Sequence, residues 1–94
     1  MNTVSKFYCM PLDTTHVFKH QFLHWKNLET IFFNQKCRRI EDYAFSGCIS
    51  LQKIMNLRKD CIFSEYAFAQ SNFYYLNGKI YRKNDYQVIW ERNV

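Results

Sequence analysis

Glycine and proline are scarce in this chain of 94 residues, with two glycines and one proline. That excludes collagen-like, linker-like and low-complexity classes, which need these residues in quantity. The four cysteines, Cys9, Cys37, Cys48 and Cys61, contain no C-x-x-C pair. A zinc knuckle or a thioredoxin-type dithiol is therefore not expected. No apolar run approaches the roughly 20 residues of a membrane span, and the start of the chain, Met1 to Phe7, lacks the apolar core of a signal peptide. The expectation is a soluble chain, cytoplasmic by default, whose reduced thiols act as small buried hydrophobes. A disulfide remains an open alternative.

Acidic residues are the minority charge. Eight Asp and Glu stand against 13 Lys and Arg, for a net charge of +5. The cations are scattered, and Arg38 and Arg39 are followed at once by Glu41 and Asp42, so no sustained basic run forms. A solvated basic surface accounts for this balance, and attraction to an acidic partner, a nucleic acid or an anionic membrane is the functional alternative. Large side chains, by contrast, are abundant, with nine Phe, seven Tyr and two Trp. Such a load implies a packed core.

The core is organised by a repeat. Ala44-Phe45 returns 23 residues later as Ala67-Phe68, Ile40 as Phe63, Tyr43 as Tyr66 and Cys48 as Ser71. One step back stand Val17, His20, Phe22 and Trp25, and the Leu position runs Leu28, Leu51, Tyr74. Around Ile31 and Phe33 the apolar residues alternate with Thr30 and Phe32, as a strand with one buried face requires. Ile40 is a second inward point. The segment from Glu41 to Cys48 has an acidic start and a glycine near its end, which predicts one or two turns of helix or 3₁₀ helix. One such unit cannot bury its own apolar edge, whereas stacked units bury a continuous core. Coils are expected at 5–27, 28–50 and 51–73. After Asn77-Gly78, the stretch 74–94 reads as a terminal β-hairpin that covers the end of the stack.

The stretch from Ile40 to Ile54, with Ile40, Ala44, Phe45, Cys48, Leu51 and Ile54 at fixed offsets, resembles the BspA-type leucine-rich repeat. The closing segment from Asn77 to Asp85 is similar to the end of such arrays. The resemblance implies an α/β leucine-rich-repeat solenoid in a single domain over residues 1–94. It also implies a binding role, often as a surface or adhesion protein of bacteria and protozoa. No catalytic residue belongs to the family's motif, so neither an enzyme nor a cofactor is expected.

The predicted binding site is the outward face of the sheet. Offsets 2 and 4 of each coil place Phe7 and Cys9, Thr30 and Phe32, Lys53 and Met55, then Leu76 and Gly78 there. Phe7, Thr30, Phe32, Lys53, Met55 and Leu76 are the partner-binding residues expected, because a contiguous exposed apolar patch marks an interaction surface. The plainer alternative is a patch hidden by the N-terminal segment, by self-association or by further coils. His16, His20 and His24 would share one stripe of a helix, but no acidic or cysteine ligand completes a metal set, so a solvated or stacking role is expected. Cys37 and Cys48 fit apolar slots of the repeat better than a thiol nucleophile. Glu41 and Asp42 read as helix-start acids. Phe73 to Tyr75 with Lys79, Tyr81, Arg82 and Lys83 form a faint version of a nucleic-acid track. The function expected is protein–protein interaction without a small-molecule substrate. A structural fragment of a longer repeat protein and a weak nucleic-acid binder are the alternatives.

Overall fold

The computed structural model describes residues 5–92 and contains nine short strands among them. Three of them, β1 (Phe7–Cys9), β3 (Thr30–Phe32) and β5 (Lys53–Met55), form one parallel sheet. Its register sets Phe7 beside Thr30 and Thr30 beside Lys53, so partners stand 23 residues apart. A second parallel sheet, which the sequence marked only as an inward point, joins β2 (His16–Val17), β4 (Arg39–Ile40) and β6 (Ile62–Phe63) at the same spacing.

The interior between the sheets and the connecting turns is filled in columns. The rings of Phe22 and Phe45 stack at 5.0 Å, and those of Phe45 and Phe68 at 5.3 Å, nearly parallel in both cases. Leu28, Leu51, Ile31 and Ala44 are fully buried beside them. Asparagines tie neighbouring repeats together. The Asn72 amide donates to the carbonyls of Ile49 and Leu51, and the Asn34 amide to those of Pro11 and Thr14.

The helical turns expected after Ile40 are not formed, and no helix occurs among the described residues. The backbone between Glu41 and Cys48 divides its hydrogen bonds instead. Ala44, Ser46 and Cys48 donate back three residues, to Glu41, Tyr43 and Phe45, at 3.3, 3.2 and 3.2 Å. The N–H groups between them, of Tyr43, Phe45 and Gly47, donate to Tyr66, Ala67 and Ala69 of the next repeat at 3.1, 2.9 and 3.3 Å. The backbone is left-handed at Tyr43 (φ 59°) and Gly47 (φ 75°), which a right-handed helix cannot accommodate. Glu41 is accordingly not a helix-start acid, and its carboxylate meets the His16 ring of the preceding repeat.

The closing element is larger than a hairpin. β7 (Phe73–Leu76), β8 (Lys79–Arg82) and β9 (Val88–Glu91) make an antiparallel three-stranded sheet. The Asn77-Gly78 turn, with both residues left-handed (φ 52° and 80°), joins β7 to β8, as a two-residue hairpin turn requires. This sheet packs on the last repeat through Trp90 and Tyr75 against Phe63 and through Phe73 against Phe68. At the other end Tyr8 and Trp25 pack edge-on against Phe22, at 5.0 and 4.8 Å. They occupy slots that hold Ile31 and Cys48 one repeat later, so the first repeat carries larger side chains at these two positions than the second.

Candidate functional site

Successive side chains of a strand point to opposite faces. In β3, Ile31 turns into the core and is fully buried, and Phe32 turns out. The same alternation in β1 and β5 sends Phe7, Cys9, Lys53 and Met55 outward. Parallel pairing then aligns them in two rows, Phe7–Thr30–Lys53 and Cys9–Phe32–Met55. The second row is apolar throughout. Phe7, Phe32 and Met55 are 60%, 38% and 43% exposed, well above the exposure of core residues, so the face carries a group of large apolar side chains open to water.

Two of the expected site residues do not join the open face. Thr30 lies in the first row but is only 6% exposed; it is the short side chain between two long neighbours, Phe7 and Lys53, and cannot make a broad contact. Leu76 is exposed, yet it belongs to β7 and pairs with Lys79 rather than extending the row past Lys53. The Asn77-Gly78 reversal takes the chain into the antiparallel sheet before a fourth parallel strand can form. Leu76 borders a hollow with Glu65, Tyr66 and Gly78 instead. Cys9, by contrast, is exposed and shares the row of Phe32 and Met55. Its outward offset was legible in the repeat.

The three histidines separate. His16 stacks on Phe18 at 4.5 Å and pairs with Glu41. His20 stacks on Tyr43 at 5.7 Å, and Tyr43 in turn on Tyr66 at 5.9 Å, in a surface ladder one ring per repeat. The ring of His24 lies over Gly47. Among the described residues no three or more His, Cys, Asp or Glu side chains gather as a metal would need.

Charged groups near the C-terminus are largely occupied. Arg82 pairs with Asp85 at 3.2 Å and Lys79 with Glu91 at 3.9 Å. The Arg82 guanidinium and the backbone N–H of Gln87 hold the Asp85 carboxyl below its usual range. Tyr74 is stacked on Tyr81 and Phe73 is fully buried. Of the residues read as a nucleic-acid track, Tyr74 and Tyr81 thus face each other, Phe73 and Tyr75 face the core cluster, Lys79 and Arg82 meet carboxylates, and Lys83 is exposed. In a polar hollow between Gln52, Asn72, Arg82 and Lys83, the Asn72 amide is engaged with backbone carbonyls and Arg82 with Asp85. Among the described residues no helix is long and apolar enough to cross a membrane.

A family model described as the BspA-type leucine-rich repeat region (6 copies) matches residues 5–81 of the chain. Comparison with curated proteins and with solved structures finds no match.

Proposed function

Because the chain belongs to the BspA-type leucine-rich-repeat family, we propose that it works as a non-catalytic protein–protein interaction module that holds its partner on the β1–β3–β5 face. The reading takes the chain as a short solenoid in one domain, with coils at 5–27, 28–50 and 51–73 and the antiparallel sheet as its terminal cap. The observation that carries it is the open apolar row of Cys9, Phe32 and Met55, bordered by Phe7. Lys53 adds an exposed cation at the rim, and rims of this kind steer encounter more than they add affinity. Three strands about 4.8 Å apart offer a small surface, so a single chain binds weakly or contributes to a larger face. A role as an adhesion or surface protein would follow the family's habit.

Glutamate at both Phe32 and Met55 tests the assignment. The double variant is expected to lose every partner that the unaltered chain retains in a pull-down, with its circular dichroism and elution volume unchanged. Equal retention by both chains would remove the face as the binding surface. Unfolding of the double variant would mean that these side chains support the core. A chain that retains no partner and stays monomeric in sedimentation would favour the structural-fragment reading.

A further inference from the structure

Three of the four cysteines are buried and all are free. Cys48 has a structural account, since its thiol donates to the Phe22 carbonyl at 3.1 Å and it fills the slot that holds Trp25 one repeat earlier. The Cys37 and Cys61 thiols approach only the Arg39 and Ile62 carbonyls of their own segments, each at 4.0 Å. Strands β4 and β6 run parallel with Arg39 opposite Ile62, and the Ile62 N–H donates to the Arg38 carbonyl at 2.8 Å. Cys61 therefore lies opposite Arg38, one residue along from the place opposite Cys37. Both side chains point inward and are fully buried, and each thiol shifts the titration of the other, Cys37 downward and Cys61 upward. Neighbouring strands lie about 4.8 Å apart and each residue advances about 3.3 Å. Cys37 and Cys61 lie just before β4 and β6, and continuing the strand spacing to a one-residue stagger corresponds to a diagonal Cα separation of about 6 Å, inside the window a disulfide takes.

We propose that Cys37 and Cys61 form a dithiol pair that closes to a disulfide between the second and third repeats when the chain meets a low-molecular-weight disulfide such as oxidised glutathione. The Cys37 thiolate attacks one reagent sulfur, the reagent's S–S bond breaks, and one reagent thiolate leaves. The Cys61 thiolate then attacks the Cys37 sulfur of the mixed disulfide and expels the second. The two protons lost by the protein thiols go to the departing thiolates, and the electron pair that reduces the reagent comes from the cysteines. Cys37 suits the attacking role, because interaction with the Cys61 thiol lowers it from the ordinary range, while the same interaction and burial push Cys61 up. Since neither thiol is open to water, local opening of the segment sets the rate.

The test uses the full chain with Cys9→Ser, which removes the exposed thiol and leaves three. After incubation with oxidised glutathione, the thiols titrated under denaturing conditions are expected to fall from three to one. The intact mass should drop by two hydrogens, and a protease map should join the peptides of Cys37 and Cys61. Dithiothreitol should reverse all three changes. The bridged form should melt roughly 5–15 °C higher than the reduced form, as a native-compatible crosslink does. A retained glutathione adduct, a bridge to Cys48, an unchanged thiol count or a lower melting temperature would overturn the proposal. Adding Cys61→Ala should stop closure and leave one glutathione on Cys37; closure that persists in that variant would also overturn it.

Discussion

At the scale of single residues, the most constrained position is Gly47. Its backbone is left-handed, and a methyl group on it would overlap Cδ2 of His24. Gly47→Ala therefore meets two penalties, a conformation that L-residues disfavour and a ring that must move. Together these are expected to cost about 1–3 kcal/mol, measured as a shift in the urea midpoint. Combining it with His24→Ala should recover part of that loss, since the overlap goes and the backbone penalty stays. A second residue-scale expectation concerns pH. Burial pushes the Cys48 thiol from 9.0 up to about 11, so the native state keeps its proton where the unfolded chain loses it. The Cys48 contribution is complete below pH 9.0 and disappears as pH rises toward about 11. Over that window the unaltered chain should lose stability relative to Cys48→Ala, by on the order of 2–3 kcal/mol. A constant difference across the window would show that the thiol is not held neutral. Neither constraint was fully legible in the chain. The glycine near the segment's end was visible, but its overlap with His24 depends on how two repeats lie over each other.

At the scale of elements, the inner columns were readable and the outer backbone was not. Slots 23 residues apart, such as Phe22, Phe45 and Phe68, carry apolar character whatever path the chain takes between them, so the sequence shows which residues meet. The segment from Glu41 to Cys48 offers acids, alanine and a glycine, a composition that serves a short helix and a stacked turn equally. Only the neighbouring repeat decides, by taking every second N–H. Far-UV circular dichroism should consequently lack the paired minima of a helix, and their appearance would contradict the alternating hydrogen bonds. The same stacking predicts the cost of opening the column. Phe45 has a ring on each side of it, so Phe45→Ala should destabilise the chain by about 3–5 kcal/mol in urea unfolding. The partner-facing rows were half legible for a related reason. Strand parity put Phe32 and Met55 outward, whereas the burial of Thr30 depends on the sizes of its cross-strand neighbours, and Leu76 left the row when the chain reversed at Asn77-Gly78.

At the scale of the whole molecule, the first repeat and the C-terminal sheet share one device. Each buries a tryptophan, Trp25 against Phe22 and Trp90 against Phe63. Each indole Nε1 is buried without a hydrogen-bond partner among the described residues. The rings are thus held for the apolar area they cover and despite the polar atom they carry, because an orphan donor costs about 1–3 kcal/mol. Substitutions at Trp90 separate the two contributions. Trp90→Ala removes the ring that shields Phe63 and should cost about 3–5 kcal/mol, a large share of the 5–15 kcal/mol typical of a domain. Exposed Phe63 and Phe68 should then increase dye binding and promote aggregation. Trp90→Phe keeps an aromatic face toward Phe63 and deletes the orphan donor, so it should cost less than half as much. Urea midpoints of the two variants, measured side by side, decide the matter. Equal losses would mean that the indole N–H is paired after all and that covering Phe63 is not what the C-terminal sheet contributes.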